Sequence, residues 1–386
     1  MGDVDPGGAR GGEIGNQDRT LFLCGDVMTG RGVDQILPHP GSPRLYEPYT
    51  SSALDYVALA ERAHGGIPRP VDYEYVWGDA LAVLDRVRPD VRILNLETSV
   101  TRSEDAEPKG INYRMHPANL PVLKAARIDC CVLANNHVLD WGTAGLLETL
   151  ESVASAGIQV AGGGRDLAAA QSPAILGARG TRVLVFAFGA PDCGIPEIWS
   201  AGRSRPGVHL LPDLEDATVD RIARLVTETK RSGDIAIASI HWGANWGYEI
   251  PRAHRRFAHA LIDRCAIDVV HGHSSHHPKA VEVHHERPIF YGCGDFVNDY
   301  EGITGHERVR PDLVLMYFPT IDATGRLARL TMTPLQSYRF ALRQPSGVDR
   351  EWIRASLDRE CRRFRVRVVL RGEDLALEWR DRAIEN

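Results

Sequence analysis

The sequence predicts an α/β layered fold. Two observations predict it. Apolar, β-branched runs alternate with helically periodic segments from residue 20 to residue 273. Beyond Lys279 the pattern changes to a series of strand-like runs. Taken in order, TLFLCGD (20–26) is a buried strand, WGDALAVLDRVR (77–88) has helical spacing and VRILNLE (91–97) is the next strand. The stretch 119–128 is helical and DCCVLAN (129–135) a strand. TAGLLETLESVASAG (143–157) is a helix closed by Gly157, and IQVAGGG and TRVLVFAFG are strands. The helix 214–233, strand 234–243, helix 251–266 and strand 267–273 follow. AVEVHH, RPIFYGCGDF, DLVLMYFPT and LARLTMTPL then read as strands, with a helix near 348–362 and strands near 364–378. Residues 38–75 are rich in Pro, Gly and Tyr with little periodicity, the pattern of an ordered loop used as a substrate lid.

The 386 residues suffice for one large domain or two smaller ones. A hydrophobic content of 43% and a charged content of 25% are those of a soluble globular protein. A net charge of −6 leaves no basic footprint for nucleic acid or an anionic membrane. The seven cysteines (24, 130, 131, 193, 265, 293 and 361) contain no CxxC and sit mostly in apolar runs. They read as buried thiols in a reducing cytoplasm. Residues 1–19 are Gly-rich and polar, a disordered tail without the apolar core of a signal peptide. No window of 18 uninterrupted apolar residues occurs, so no membrane span is expected.

Chemically versatile residues fall where the strands end. Asp26 ends the first, Glu97 the next, and Asn135, Asn136 and His137 follow the third. His241 ends the strand in IHWG, and HGHSSHHP (271–278) carries His271, His273, His276 and His277. Singly, each has a plainer reading: a helix cap, a turn residue, a satisfied core histidine. Together they bring carboxylates, a carboxamide and imidazoles to the carboxyl edge of a sheet, where open α/β folds bind ligands. That donor mixture suits a divalent metal. Two carboxylates are placed to buttress histidines. Asp140 lies three residues from His137, and Asp295 can serve His273 or His276.

The motifs GDVM, NLET, NNHVLDWG, HWG, GHSSHHP and FYGCGDF resemble the CapA family, named for poly-γ-glutamate capsule synthesis, within the calcineurin-like metallophosphoesterase superfamily. The resemblance covers residues 20–300. It implies a four-layer α/β/β/α sandwich with a metal site at the strand carboxyl edge, residues 301–386 completing the same domain. It also implies Asp26, Glu97, Asn136, His241 and His273 as metal ligands, and His137, Asp140, His276 and Asp295 as acid–base residues. Two positions depart from the superfamily pattern. Asp-x-His has become Asp26-Val27-Met28, removing a nitrogen ligand, and Glu97 replaces a bridging aspartate. The remaining donors suit Mn, Zn or Fe, and the oxygen-rich set also admits Ca. No organic cofactor motif occurs.

Three activities follow from the resemblance. The leading one is that of soluble relatives in ribosomal-peptide biosynthesis: cofactor-independent epimerisation at a Cα of a precursor peptide, as in lasso-peptide pathways, by two-base chemistry. The alternatives are metallophosphoesterase activity and a role in poly-γ-glutamate capsule biosynthesis. Capsule proteins of this type usually carry an N-terminal membrane anchor, and none is expected here. The expected partner is a peptide. Tyr46, Tyr49, Tyr56, Tyr73, Tyr75 and Trp77 in the lid, with Trp242, Trp246 and Tyr248, are candidates to grip it.

Overall fold

The structure, a computed structural model, describes residues 18–379. Of the expected tail, residues 1–17 lie outside the described residues, and Arg19 opens the first strand. Strands β1 (Arg19–Val27), β2 (Val91–Leu96), β3 (Cys130–Val132) and β4 (Gln159–Ala161) run side by side and parallel. Helix α1 (Asp79–Val87) leads into β2, and α2 (Gly142–Ser155) leads into β4. A second sheet begins with β5 (Ala174–Ala178) antiparallel to β6 (Thr181–Gly189). After α3 (Asp216–Thr229) comes β7 (Ile235–His241), and after α4 (Arg252–Cys265) comes β8 (Val269–His273). Strands β6, β7 and β8 are parallel, and the hairpin of β9 (Val281–His284) and β10 (Arg287–Phe290) closes this sheet on the β8 side.

The chain then returns. β11 (Asp295–Val297) pairs parallel with β1. β12 (Leu313–Ile321), β13 (Leu327–Tyr338) and β14 (Ala341–Arg343) continue the first sheet. After helix α5 (Gly347–Cys361), β15 (Val366–Arg371) and β16 (Asp374–Trp379) complete it, in the order β15-β16-β13-β12-β1-β2-β3-β4.

Side-chain alternation builds the layers. Val183, Val185 and Ala187 of β6 and Ile235 and Ile237 of β7 join the core shared with the first sheet. Their neighbours Leu184, Phe186, Phe188, Ala236, Ala238 and Ile240 face the other way. They pack on Val219, Ile222 and Val226 of α3 and on Phe257 and Leu261 of α4. Each Val, Leu, Ile or Phe among them contributes about 1.5–3 kcal/mol by leaving water. Ala80, Val83 and Leu84 of α1 and Leu146 and Val153 of α2 pack on the first sheet in the same way. The result is the four-layer α/β/β/α arrangement.

Three local differences from the sequence reading have physical causes. Residues 38–75 contain a short hairpin (Arg44–Glu47 with Thr50–Ser52) and the helix Leu54–His64, which buries Tyr56, Val57 and Ala60. The surrounding prolines and glycines masked that apolar spacing. The strand in DCCVLAN stops at Val132, because Asn135 bonds locally to the Leu133 carbonyl. RPIFYGCGDF is two strands, broken at Gly294, whose φ is +80°.

The crossing of β1 and β11 sets the position of Asp26. Its backbone N–H donates to the Gly294 carbonyl at 3.0 Å, and Asp26 stands in register with both Asp295 and Asn95. A Cβ at Gly25 would lie 1.8 Å from the Gly294 oxygen. Gly25→Ala is therefore expected to destabilise the protein by about 3 kcal/mol or more, since two backbones must separate. Thermal unfolding measures this, and an unchanged melting temperature would contradict the close approach.

Candidate metal centre

The parallel strands point their carboxyl ends to one edge, and the chemistry of the sequence collects there. Register alone places His241, the last residue of β7, beside His273, the last of β8. Potential ligand atoms of Asp26, His241 and His273 lie within 4.8 Å of one another, as do those of Asp26, Glu97 and Asp295. Asp26 belongs to both groups. Asn136 joins through its Oδ1, 3.1 Å from His241 Nε2, and Glu97 Oε1 is 3.8 Å from the same nitrogen.

A chain of hydrogen bonds fixes the tautomer of His273. His271 Nε2 donates to the Cys24 carbonyl at 2.8 Å. Burial pushes the His271 pKa down to about 4, so this ring is neutral and its Nδ1 is an acceptor. Ser239 Oγ lies 3.0 Å from that Nδ1 and 3.0 Å from His273 Nε2. The serine therefore donates to His271 and accepts from His273. The Nδ1 of His273 is left with a bare lone pair, 2.9 Å from His241 Nδ1 and 3.7 Å from Asp26 Oδ1. His271 thus orients His273 through Ser239, and both of its own nitrogens are engaged.

Neither tautomer of His241 satisfies both of its nitrogens. With the proton on Nε2, two Nδ1 lone pairs confront each other at 2.9 Å. With the proton on Nδ1, the Nε2 lone pair faces the Asn136 and Glu97 oxygens. A cation resolves either conflict. Two ligands bound at about 2.1 Å to one ion stand roughly 3.0–3.4 Å apart, close to the separation found here. The mixed imidazole and carboxylate donors fit a divalent metal.

The electrostatics agree. Burial, then the Asp295 carboxylate, pushes the Asp26 pKa up to about 7. Burial, then Asp26, raises Glu97 well above the usual carboxylate range. Burial holds His241 and His273 well below the usual imidazole range, keeping them neutral as ligands must be. Asn95 Nδ2 donates to Asp26 Oδ1 at 2.7 Å and the Ser274 N–H to Oδ2 at 3.1 Å, fixing the carboxylate.

Two further histidines border the cluster. His137 Nδ1 donates to Asp140 Oδ2 at 2.6 Å, and burial lowers its pKa to about 4. His276 Nδ1 donates to Asp295 Oδ1 at 2.9 Å; burial opposes its charge, but Asp295 overcomes it and the pKa is raised. Asp295 thus serves His276, not His273. His137 and His276 keep 7% and 9% exposure, whereas His241 and His273 keep 1% and 0%. The buttressed histidines therefore face outward from a covered cluster.

The strand-end pattern did not single out several residues here. The Tyr113 ring stacks on His137 with centroids 3.9 Å apart. Its hydroxyl meets that of Tyr300 at 2.6 Å, and the Tyr300 ring stands edge-on to His276 at 5.3 Å. These two tyrosines form a continuous wall between the two histidines. Lys109 bonds to Asp140 Oδ1 at 2.8 Å and to the Asn136 carbonyl, adding a positive charge beside His137. No periodic signal marks Lys109, Tyr113 or Tyr300, because they lie outside the strand-end motifs.

The proposed aromatic grip divides. Trp77 is fully buried, donating to the Val122 carbonyl, and Trp242 stacks on His254 inside the fold; both are core. Tyr56 is also buried, bonded to Glu47 under the Arg31 guanidinium. Tyr75 donates to the Arg339 carbonyl and Tyr73 to that of Ala118. Tyr248 lies edge-on to His277. Trp246 is half-buried with its ring 5.0 Å from that of His276, and Tyr46 and Tyr49 are exposed.

The family model described as bacterial capsule synthesis protein PGA_cap matches residues 20–300. A probable polyglutamine synthesis accessory protein of Mycobacterium tuberculosis is 51% identical over 366 residues, covering 94% of this chain and 96% of its own. The PGA biosynthesis protein CapA of Bacillus subtilis is 26% identical over 307 residues, covering 79% and 68%. The capsule biosynthesis protein CapA of Bacillus anthracis is 23% identical over 316 residues, covering 81% and 66%.

The shifts set a pH dependence for chelator-treated protein. An acid whose folded pKa is raised binds protons more tightly when folded, so its contribution to stability is lost as pH rises toward that pKa. His276, also raised, acts in the same direction. The lowered histidines cost stability only below about pH 6.5, where the unfolded chain protonates. Between about pH 6.5 and 7, where the folded chain still holds the Asp26 and His276 protons, stability should therefore fall by about 1 kcal/mol per pH unit for each proton retained, and the melting temperature with it. Asp26→Asn should flatten the slope, and added Mn or Zn should abolish it. A flat or rising profile in the wild type would contradict the assignment.

Proposed function

The chain belongs to the bacterial capsule synthesis protein PGA_cap family, and from that membership and the geometry of the centre we propose a metal-dependent acid–base enzyme that inverts a Cα of a polypeptide. One observation carries this reading. Two histidines, each buttressed by its own carboxylate, border a single acidic cluster and are joined by the Tyr113–Tyr300 wall. Epimerisation needs such a pair, one group to remove a proton from one face and one to return a proton to the other.

In this reading Asp26, Glu97, Asn136, His241 and His273 hold the metal, which is Mn, Zn, Fe or Ca. Bound there, the ion would supply Lewis acidity toward a substrate carbonyl oxygen. His137, neutral and with Nδ1 tied to Asp140, offers the Nε2 lone pair as base. The Cα–H bond breaks, its proton goes to His137, and its electron pair passes into the adjacent carbonyl. His276, protonated through Asp295, delivers a proton to the opposite face. The Asn245 side-chain amide lies 3.0 Å from His276 Nε2 and, turned to present Oδ1, would accept from the protonated ring and position it. Lys109 and the half-buried Trp246 are placed to receive an acidic group and an apolar side chain of the substrate. The relatives' names, polyglutamine synthesis and capsule biosynthesis, support an amino-acid polymer or peptide as the substrate class. The seven free cysteines are all buried, and we place the protein in the cytoplasm. Among the described residues no helix is long and apolar enough to cross a membrane.

Phosphoester hydrolysis is the second reading, and one observation favours it. The donors fall into two groups sharing Asp26, enough for two ions. A role in assembling poly-γ-glutamate would use the same site on a different peptide.

The test incubates metal-loaded protein with candidate peptides in deuterium oxide. One deuterium per inverted residue is expected. His137→Ala and His276→Ala should each reduce inversion by at least about 100-fold. In two-base chemistry a variant lacking one histidine can still exchange deuterium from the face that the other serves. Hydrolysis of phosphodiesters without deuterium incorporation would overturn the reading in favour of the second.

A further inference from the structure

On the outer side of the second sheet, α4 faces the β9–β10 hairpin, and four metal-binding side chains meet there. His259 and Asp263 are four residues apart on α4 and share one helix face. Glu282 and His284 are two apart on β9 and share one strand face. His259 Nε2 lies 3.0 Å from Glu282 Oε1, and His284 Nε2 lies 2.9 Å from Asp263 Oδ1. The two imidazoles stack in parallel, with centroids 3.9 Å apart and 0° between their planes, so one ring must turn for both in-plane lone pairs to reach the same ion. Ligand atoms of His259, Glu282 and His284 fall within 4.8 Å of one another, and so do those of Asp263, His284 and His285. His284 is common to both groups. None of these residues belongs to the centre described above.

We propose that His259, Asp263, Glu282 and His284 form a second, structural site for a divalent transition metal, zinc above all. The charges close: two neutral imidazoles and two carboxylates neutralise one divalent cation. Nitrogen-to-oxygen separations near 3 Å are those of two ligands on one ion. The imidazoles select zinc or a neighbouring late metal over magnesium or calcium. The Glu282 arm is already fixed, accepting from the Tyr291 hydroxyl at 2.7 Å, the kind of outer partner that orients a ligand. Arg255, one turn before His259 on α4, also acts on Glu282, and a bound cation would have to displace that attraction. Without metal, the two half-exposed ion pairs contribute little to stability. With metal, the site would tie α4 to the edge strand of the sheet.

The test uses the full, untagged chain, stripped with a chelator and titrated with zinc chloride and, separately, with cobalt chloride. Wild type should bind one equivalent more zinc than the double variant His259→Gln/His284→Gln. It should also gain melting temperature with zinc that the variant does not. Cobalt should give a visible band that the variant lacks and that His241→Ala retains. That retention separates this site from the central one, so failure of either leaves the other standing. Equal zinc equivalents in wild type and variant would overturn the proposal. If the double variant does not fold, Asp263→Asn alone should weaken the cobalt band, and an unchanged band would overturn the proposal equally.

Discussion

The structure depends on a charge problem at the edge of its sheets. Asp26, Glu97 and Asp295 are buried together, and the Nδ1 atoms of His241 and His273 stand 2.9 Å apart in an arrangement where neither tautomer of His241 satisfies both of its nitrogens. Buried carboxylates and opposed lone pairs are costly unless a cation or a proton compensates them. The protein assembles this arrangement with rigid parts. Strand register aligns His241 with His273, the β1–β11 crossing aligns Asp26 with Asp295, and the Cys24–His271–Ser239 relay fixes one tautomer. Preorganisation of this kind lets a site bind an ion without reorganising on binding.

In the proposed function the same logic separates holding from reacting. Residues covered by the fold, His241, His273 and Asp26, have the environment of ligands. Residues at the margin, His137 and His276, have a carboxylate behind them and some solvent in front. Environments that push the pKa of His137 down and of His276 up are a recurrent basis for dividing base and acid roles. The Tyr113–Tyr300 pair makes the wall between them largely aromatic, limiting water where a proton would be exchanged.

Much of this was legible in the sequence because strand ends are. β-branched runs bounded by polar residues mark where a strand stops, and a parallel α/β sheet puts those stops on one edge. Asp26, Glu97, Asn136, His241 and His273 could therefore be grouped from spacing and family resemblance together. His271 could not be separated from His273, because only the hydrogen bonds to Cys24 and Ser239 distinguish an orienting ring from a ligand. Lys109 and Tyr113 reach the centre from a segment without periodicity, and Tyr300 from a turn. Trp77 and Trp242 were candidates to grip a peptide and proved to be core, because burial depends on what packs against a ring and not on its spacing. The helix at Leu54–His64 was hidden by the flanking prolines and glycines.

In the proposed function His241, His273 and Asp26 together address one metal ion. The most direct measurement is anomalous diffraction from crystals of protein purified without chelator, collected on both sides of the Mn, Fe and Zn edges. A difference peak within bonding distance of His241, His273 and an Asp26 oxygen is expected. A well-ordered centre with no such peak, after metal is supplied in excess, would contradict it.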